Sequence, residues 1–81
     1  MEARYIPITP YLGNIRFDPN TTRILNVVFE QVSLTLLLDR IDFGPKRVAR
    51  MVVDFAQKGE HDPVRLRARV LDEVLSQARG P

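Results

Sequence analysis

The chain contains no cysteine and a single histidine. The first absence excludes a disulfide framework and a thiolate metal site. The second excludes a multi-histidine metal site within one copy. Long apolar runs are missing too. Asn26, Glu30 and Gln31 interrupt the longest candidate, so no membrane span of about 18 or more apolar residues is expected. Charge of one sign is equally scarce. Twelve Lys and Arg against ten Asp and Glu leave a net charge of only +2, although the sequence pI is near 9.5. The high pI comes from a small arginine excess and not from a basic block, which gives only weak support for a nucleic-acid partner. The chain lacks a glycine-rich phosphate loop, a nucleophile elbow and a paired-histidine motif. Arg4 is followed by Tyr5-Ile6-Pro7-Ile8-Thr9-Pro10, which is not the apolar helical stretch of a secretory leader. These absences together suggest a soluble, cytoplasmic protein that is not an enzyme and takes no cofactor.

The length of 81 residues fits one domain. A domain this small buries only about 60–65% of the surface its unfolded chain exposes. Its core rarely supplies more than about 3–5 kcal/mol, so small folds usually need a staple. With disulfides and metal set aside, association with a second copy remains.

What the chain does carry is a repeated helix-start signal. Asp18-Pro19, Gly44-Pro45 and Asp62-Pro63 each place proline after a cap residue. Proline suits the first helical position, where its missing N–H has no intrahelical partner. An aspartate before it accepts from the free amides of the first turn and faces the positive end of the helix dipole. The sequence therefore predicts helices from Pro19 to about Asp39, Pro45 to about Lys58, and Pro63 to about Ala78. Gly59 is the expected left-handed stop of the second.

The first predicted helix is apolar on two sides. At about 100° per residue, Leu25, Val28, Phe29, Val32 and Leu36 form one stripe. Ile24, Val27, Leu34 and Leu38 form a second. Arg23, Asn26, Glu30 and Ser33 make the polar strip. A helix apolar on most of its circumference is buried on most of it. Two short partner helices can cover one stripe and would struggle to cover both. The second predicted helix is simply amphipathic, with Val48, Ala49, Met51, Val52, Phe55 and Ala56 inward and Val53 at the edge. In the third, Val64, Ala68, Val70, Leu71, Val74 and Leu75 are expected inward, and Arg67 interrupts them. Arg67 either lays its methylenes on its apolar neighbours or reaches a carboxylate across an interface, with Glu30 as the candidate.

Residues 1–17 hold Pro7, Pro10 and Gly13 and are not helical. They are nonetheless rich in apolar side chains, among them Ile6, Ile8, Tyr11 and Leu12. An extended N-terminal arm docked on the helices fits this better than a solvated tail.

Two side-chain sets are candidates for chemistry. Asp39, Asp42, Glu60, His61 and Asp62 are the metal or acid–base candidates. Glu60, His61 and Asp62 are consecutive, so their side chains diverge, and a solvated loop is the simpler reading. Arg47, Arg50, Arg65 and Arg69 are the candidate nucleic-acid contacts, on two helices joined by a short turn, as in a helix-turn-helix reader. The acidic, proline-containing turn and the nearby Asp72 and Glu73, which can pair with Arg69 along a helix, favour an ordinary charged face.

The order Phe17-Asp18-Pro19, Val28-Phe29-Glu30, Val48-Ala49-Arg50, Ala56-Gln57-Lys58-Gly59-Glu60, Asp62-Pro63 and Leu66-Arg67 resembles a group of short uncharacterised three-helix proteins of bacteria. The resemblance spans residues 17–75 and implies a three-helix fold and a bacterial source. It implies no activity, substrate or site.

The sequence thus predicts an all-α fold: a long first helix plus a pair of shorter amphipathic helices in one domain over residues 18–79, preceded by the extended arm over residues 1–17. The helical dimer is expected to join through Ile24, Val27, Leu34 and Leu38, with no folded monomer at low concentration. The expected function is protein–protein interaction or regulation as a homodimer, with a further protein partner unknown. A small dimeric helix-turn-helix-like DNA-binding protein is the alternative.

Overall fold

The computed structural model describes Ile8, Tyr11–Gly13 and residues 15–79, Arg79 by its backbone only. Three helices, α1 (Pro19–Leu38), α2 (Pro45–Gln57) and α3 (Pro63–Arg79), follow the predicted boundaries closely. Each packs against the other two, and the described residues include no strand.

The predicted starts are built by the residues that announce them. Asp18 accepts hydrogen bonds from the hydroxyl and the backbone N–H of Thr21. Those two bonds, the hydroxyl's first, hold the Asp18 carboxyl below its ordinary value of 3.8. The cap is therefore complete above that value and is lost as pH falls through the lowered one. The Asp62 carboxylate accepts from Arg65 N–H at 3.3 Å. Gly44 has φ 90° and no side chain to cap with. There the start is fixed differently: Phe43, just outside the helix, and Val48, in its first turns, are both buried. That spacing is the hydrophobic staple.

Two helices end in the same Schellman turn. After α2, Gly59 has φ 104°, Gly59 N–H donates to Ala56 O, and Glu60 N–H donates to Phe55 O. After α1, Arg40 N–H donates to Leu37 O and Ile41 N–H to Leu36 O, with Arg40 at φ 57°. Glycine serves this position without penalty, and arginine does not. Left-handed backbone costs an L-residue roughly 1–2 kcal/mol, and glycine returns about 0.4–1 of that as extra freedom in the unfolded chain. Arg40→Gly should thus stabilise the protein by roughly 0.5–1 kcal/mol and raise its melting temperature by about 2–8 °C. A thermal unfolding curve that does not shift upward would mean the turn carries no such strain.

The core draws on all three helices and the segment before them. Leu25, Val28, Phe29, Val32 and Leu36 of α1 are buried, as are Val48, Ala49, Val52, Val53 and Ala56 of α2. The α1 set is the predicted inward stripe; in α2, Val53, expected at the edge, is buried, while Met51 and Phe55 are only partly buried against the core. α3 differs. Its buried line is Leu66, Val70 and Val74, with Leu71 packed alongside. Val64 is 65% exposed, Ala68 is exposed, and Arg67 projects to solvent. The arginines on either side of Leu66 draw the predicted face one register too far round. Taken from Leu66, the i+4 spacing leaves Arg67 on the outer side with no apolar pattern to interrupt.

Ile8 and Leu12, ahead of the helices, are buried in the same core. Tyr11 meets Phe29 edge-on with ring centroids 5.6 Å apart. Tyr11 N–H donates to Ile8 O and Ile15 N–H to Leu12 O, so this stretch folds into turns as it docks. Ile6 lies outside the described residues. A polar contact fixes the docking: Ile8 N–H donates to Asn26 Oδ1 at 2.7 Å.

Candidate functional site

With that core closed, one side of α1 is left uncovered. Val27 and Leu34 are 40% and 48% exposed, and Leu37 and Leu38 are 71% and 80% exposed. Ile24, at the margin, is partly buried against the core. Seven residues apart, Val27 and Leu34 differ by only about 20° around the helix, so they stand one above the other. Leu38 follows a turn above Leu34, and Leu37 flanks it. Of the residues expected at a dimer seam, Val27, Leu34 and Leu38 share this open face, and Ile24 borders it. Leu37 belongs to it as well. Sequence reasoning had missed Leu37 because it falls between the two stripes.

An open groove of about 550 Å³ runs beside the lower half of the same face, lined by Phe17, Pro19, Thr22, Arg23, Asn26, Val27 and Glu30. Asn26 in its wall also accepts from Ile8 N–H. The face therefore has projecting leucines toward the C-terminal end of α1 and a recess toward its N-terminal end.

The four candidate arginines are not gathered. The Arg47 guanidinium lies 4.0 Å over the Phe43 ring and donates to Gln77 Oε1 at 3.1 Å. That of Arg69 lies 5.5 Å over the Phe55 ring and 3.9 Å from Glu60 Oε1. Arg69 thus pairs with the turn before its helix instead of with Asp72 or Glu73. Glu73 instead accepts from Gln77 Nε2 at 2.8 Å. Since the first turn of α2 touches the last turns of α3, the two helices run antiparallel. Arg47 and Phe55 are eight residues apart on α2, about 12 Å along its axis. Arg47 and Arg69 consequently mark opposite ends of the α2–α3 face. Arg50 and Arg65 are exposed.

The acidic and histidine set is dispersed in a similar way. His61 Nε2 lies 3.0 Å from Ala56 O at the end of α2, and Glu60 faces Arg69. Asp39, Asp42 and Asp62 are exposed, with Asp62 acting as the α3 cap. Among the described residues, no three His, Asp or Glu side chains gather to hold a metal ion. No described helix is long and apolar enough to cross a membrane.

Comparison with protein-family models, curated proteins and solved structures returns no match. The likeness to short bacterial three-helix proteins rests on the residues quoted for it.

Proposed function

We propose that this chain is a non-enzymatic interaction or regulatory protein that acts as a homodimer, with the outer face of α1 as its contact surface. One observation carries the reading: Leu34, Leu37 and Leu38 form an exposed apolar cluster on α1, with Val27 exposed two turns below it beyond Glu30 and Gln31. Single exposed apolar residues are ordinary, whereas a contiguous set marks an interaction site. The core lies within one chain, which argues for a monomer that stays folded when copies separate, in place of an obligate dimer. A bacterial, cytoplasmic setting goes with this reading on sequence grounds alone, and a further protein partner is compatible with it.

The DNA-binding alternative has less support. Two of the four arginines are engaged with Phe43, Gln77, Phe55 and Glu60. Light scattering across a concentration series should show the mass rising from 9.3 kDa toward twice that value. Titration with random duplex should show no binding at near-physiological salt. A concentration-independent monomer would overturn the homodimer. Binding that falls steeply with salt, as phosphate contacts require, would promote the alternative.

A further inference from the structure

We propose that the recess between α2 and the turn ahead of α1 binds a small organic phosphate, a phosphate monoester on an aromatic or branched apolar body, with Lys46 and Arg50 holding the phosphate. This goes beyond the homodimer reading and does not rest on it. Among the described residues, none from α1 lines the recess.

The recess has a volume of about 390 Å³, within the range of roughly 300–1,000 Å³ found for small-ligand sites. Its two walls differ in chemistry. One comes from the segment before α1. Tyr11 N–H donates to Ile8 O and Ile15 N–H to Leu12 O. With Ile8 and Leu12 in the core, Tyr11 and Ile15 are left 37% and 36% exposed and line the recess opposite α2. The Tyr11 ring is held edge-on to Phe29, so this apolar wall is formed before any ligand arrives. Val53, itself buried, continues it on α2.

The other wall is charged. Lys46, Arg50 and Asp54 line it, each about one turn and 6 Å along the axis from the next. Lys46 and Arg50 are like charges at i and i+4, an arrangement that weakens a helix. Among the described residues, no carboxylate comes within 4.0 Å of either; the ion pair found there joins Arg69 to Glu60. Arg47, the third cation of these turns, is already held by the Phe43 ring and Gln77. An anionic ligand supplies the opposite charge that the fold leaves out.

Charge and shape select the ligand. A phosphate monoester carries about −1.5 to −2 charge at pH 7 and three acceptor oxygens, which suits two adjacent cations better than a single carboxylate does. Asp54, one turn beyond Arg50, repels a second negative group and sets the phosphate toward the start of α2. The body of the ligand then lies along Tyr11, Ile15 and Val53. Lys46 and Arg50 also border a second recess of about 380 Å³ toward α3. Among the described residues, Met51 is the apolar side chain that lines it, so that side offers no comparable wall for the body.

Titration of isotopically labelled protein with phenyl phosphate, followed by backbone amide spectra, tests the site. Saturable shifts are expected at Gly13, Ile15, Lys46, Arg50 and Val53, with a Kd of about 1 mM or tighter. Inorganic phosphate lacks the apolar body and phenylacetate lacks the second charge. Each should bind at least about fivefold more weakly. The double variant Lys46→Gln, Arg50→Gln should lose at least about tenfold in affinity, as the loss of charge-assisted hydrogen bonds requires. Both side chains are exposed, and a circular dichroism spectrum checks that the variant remains helical. Ile15→Ser should weaken phenyl phosphate about threefold and leave inorganic phosphate unchanged. Equal affinity for inorganic and phenyl phosphate would mean ordinary surface ion pairing and would overturn the proposal. Shifts that never saturate, or undiminished affinity in the double variant, would overturn it as well. Phenylacetate binding as tightly as phenyl phosphate would overturn the choice of phosphate.

Discussion

Deleting residues 1–12 should lower the melting temperature by at least about 5 °C. The deletion removes Ile8 and Leu12 from the core, and Tyr11 from the edge of Phe29. Burying one aliphatic side chain contributes about 1.5–3 kcal/mol. The entropy of ordering the segment opposes that gain. Even a net loss of about 1–2 kcal/mol moves the midpoint of a domain this size by roughly 4–16 °C. Asn26→Ala is the milder companion. It leaves the Ile8 N–H without a partner in a buried position, at a cost of about 1–3 kcal/mol. Unchanged melting of both variants would mean that the segment contributes nothing to stability.

Val27→Glu and Leu34→Glu should separate the copies and leave the fold intact. Neither side chain belongs to the core, at 40% and 48% exposure, so a carboxylate at either position stays solvated in the monomer. In the dimer it would be enclosed against an apolar face without a partner, which costs several kcal/mol. A loss of about 2.7 kcal/mol weakens association a hundredfold, and at least that is expected. Leu66→Glu offers the contrast. Leu66 is fully buried, so that change should unfold the chain. Full tolerance of both seam variants in a dimer assay would count heavily against α1 as the contact.

The parts of this fold that were legible beforehand are those written in local chemistry. Cap residue followed by proline located all three helix starts, because the cap bond and the fixed proline φ are properties of neighbouring residues. Gly59 marked the end of α2 for the same reason. The end of α1 was less legible, since Arg40 occupies a left-handed position that no sequence rule assigns to arginine. Phe43 read as a link residue, although its place just before the Gly44-Pro45 start and its spacing to Val48 carried the staple signal. Asn26 read as part of a solvent-facing strip. Its role depends on the N-terminal segment arriving from 18 residues away, and helical periodicity holds no record of that. Leu66 was obscured by flanking arginines. In each of these cases the deciding contact is either tertiary or at odds with the local preference. The second stripe of α1 was legible as a pattern. The groove beside it was not, because helical periodicity does not report how Phe17 and Pro19 approach the flank of α1.

The central claim is that the open face of α1 meets a second copy of itself. Backbone amide spectra of isotopically labelled protein, recorded through a dilution series, test it residue by residue. The account predicts shifts that depend on concentration and concentrate on α1, at Val27, Glu30, Gln31, Leu34, Leu37 and Leu38 and along the groove at Thr22 and Asn26. The outer faces of α2 and α3 should stay constant. Spectra that do not change with concentration, or changes centred on Arg47, Arg50, Arg65 and Arg69, would contradict it.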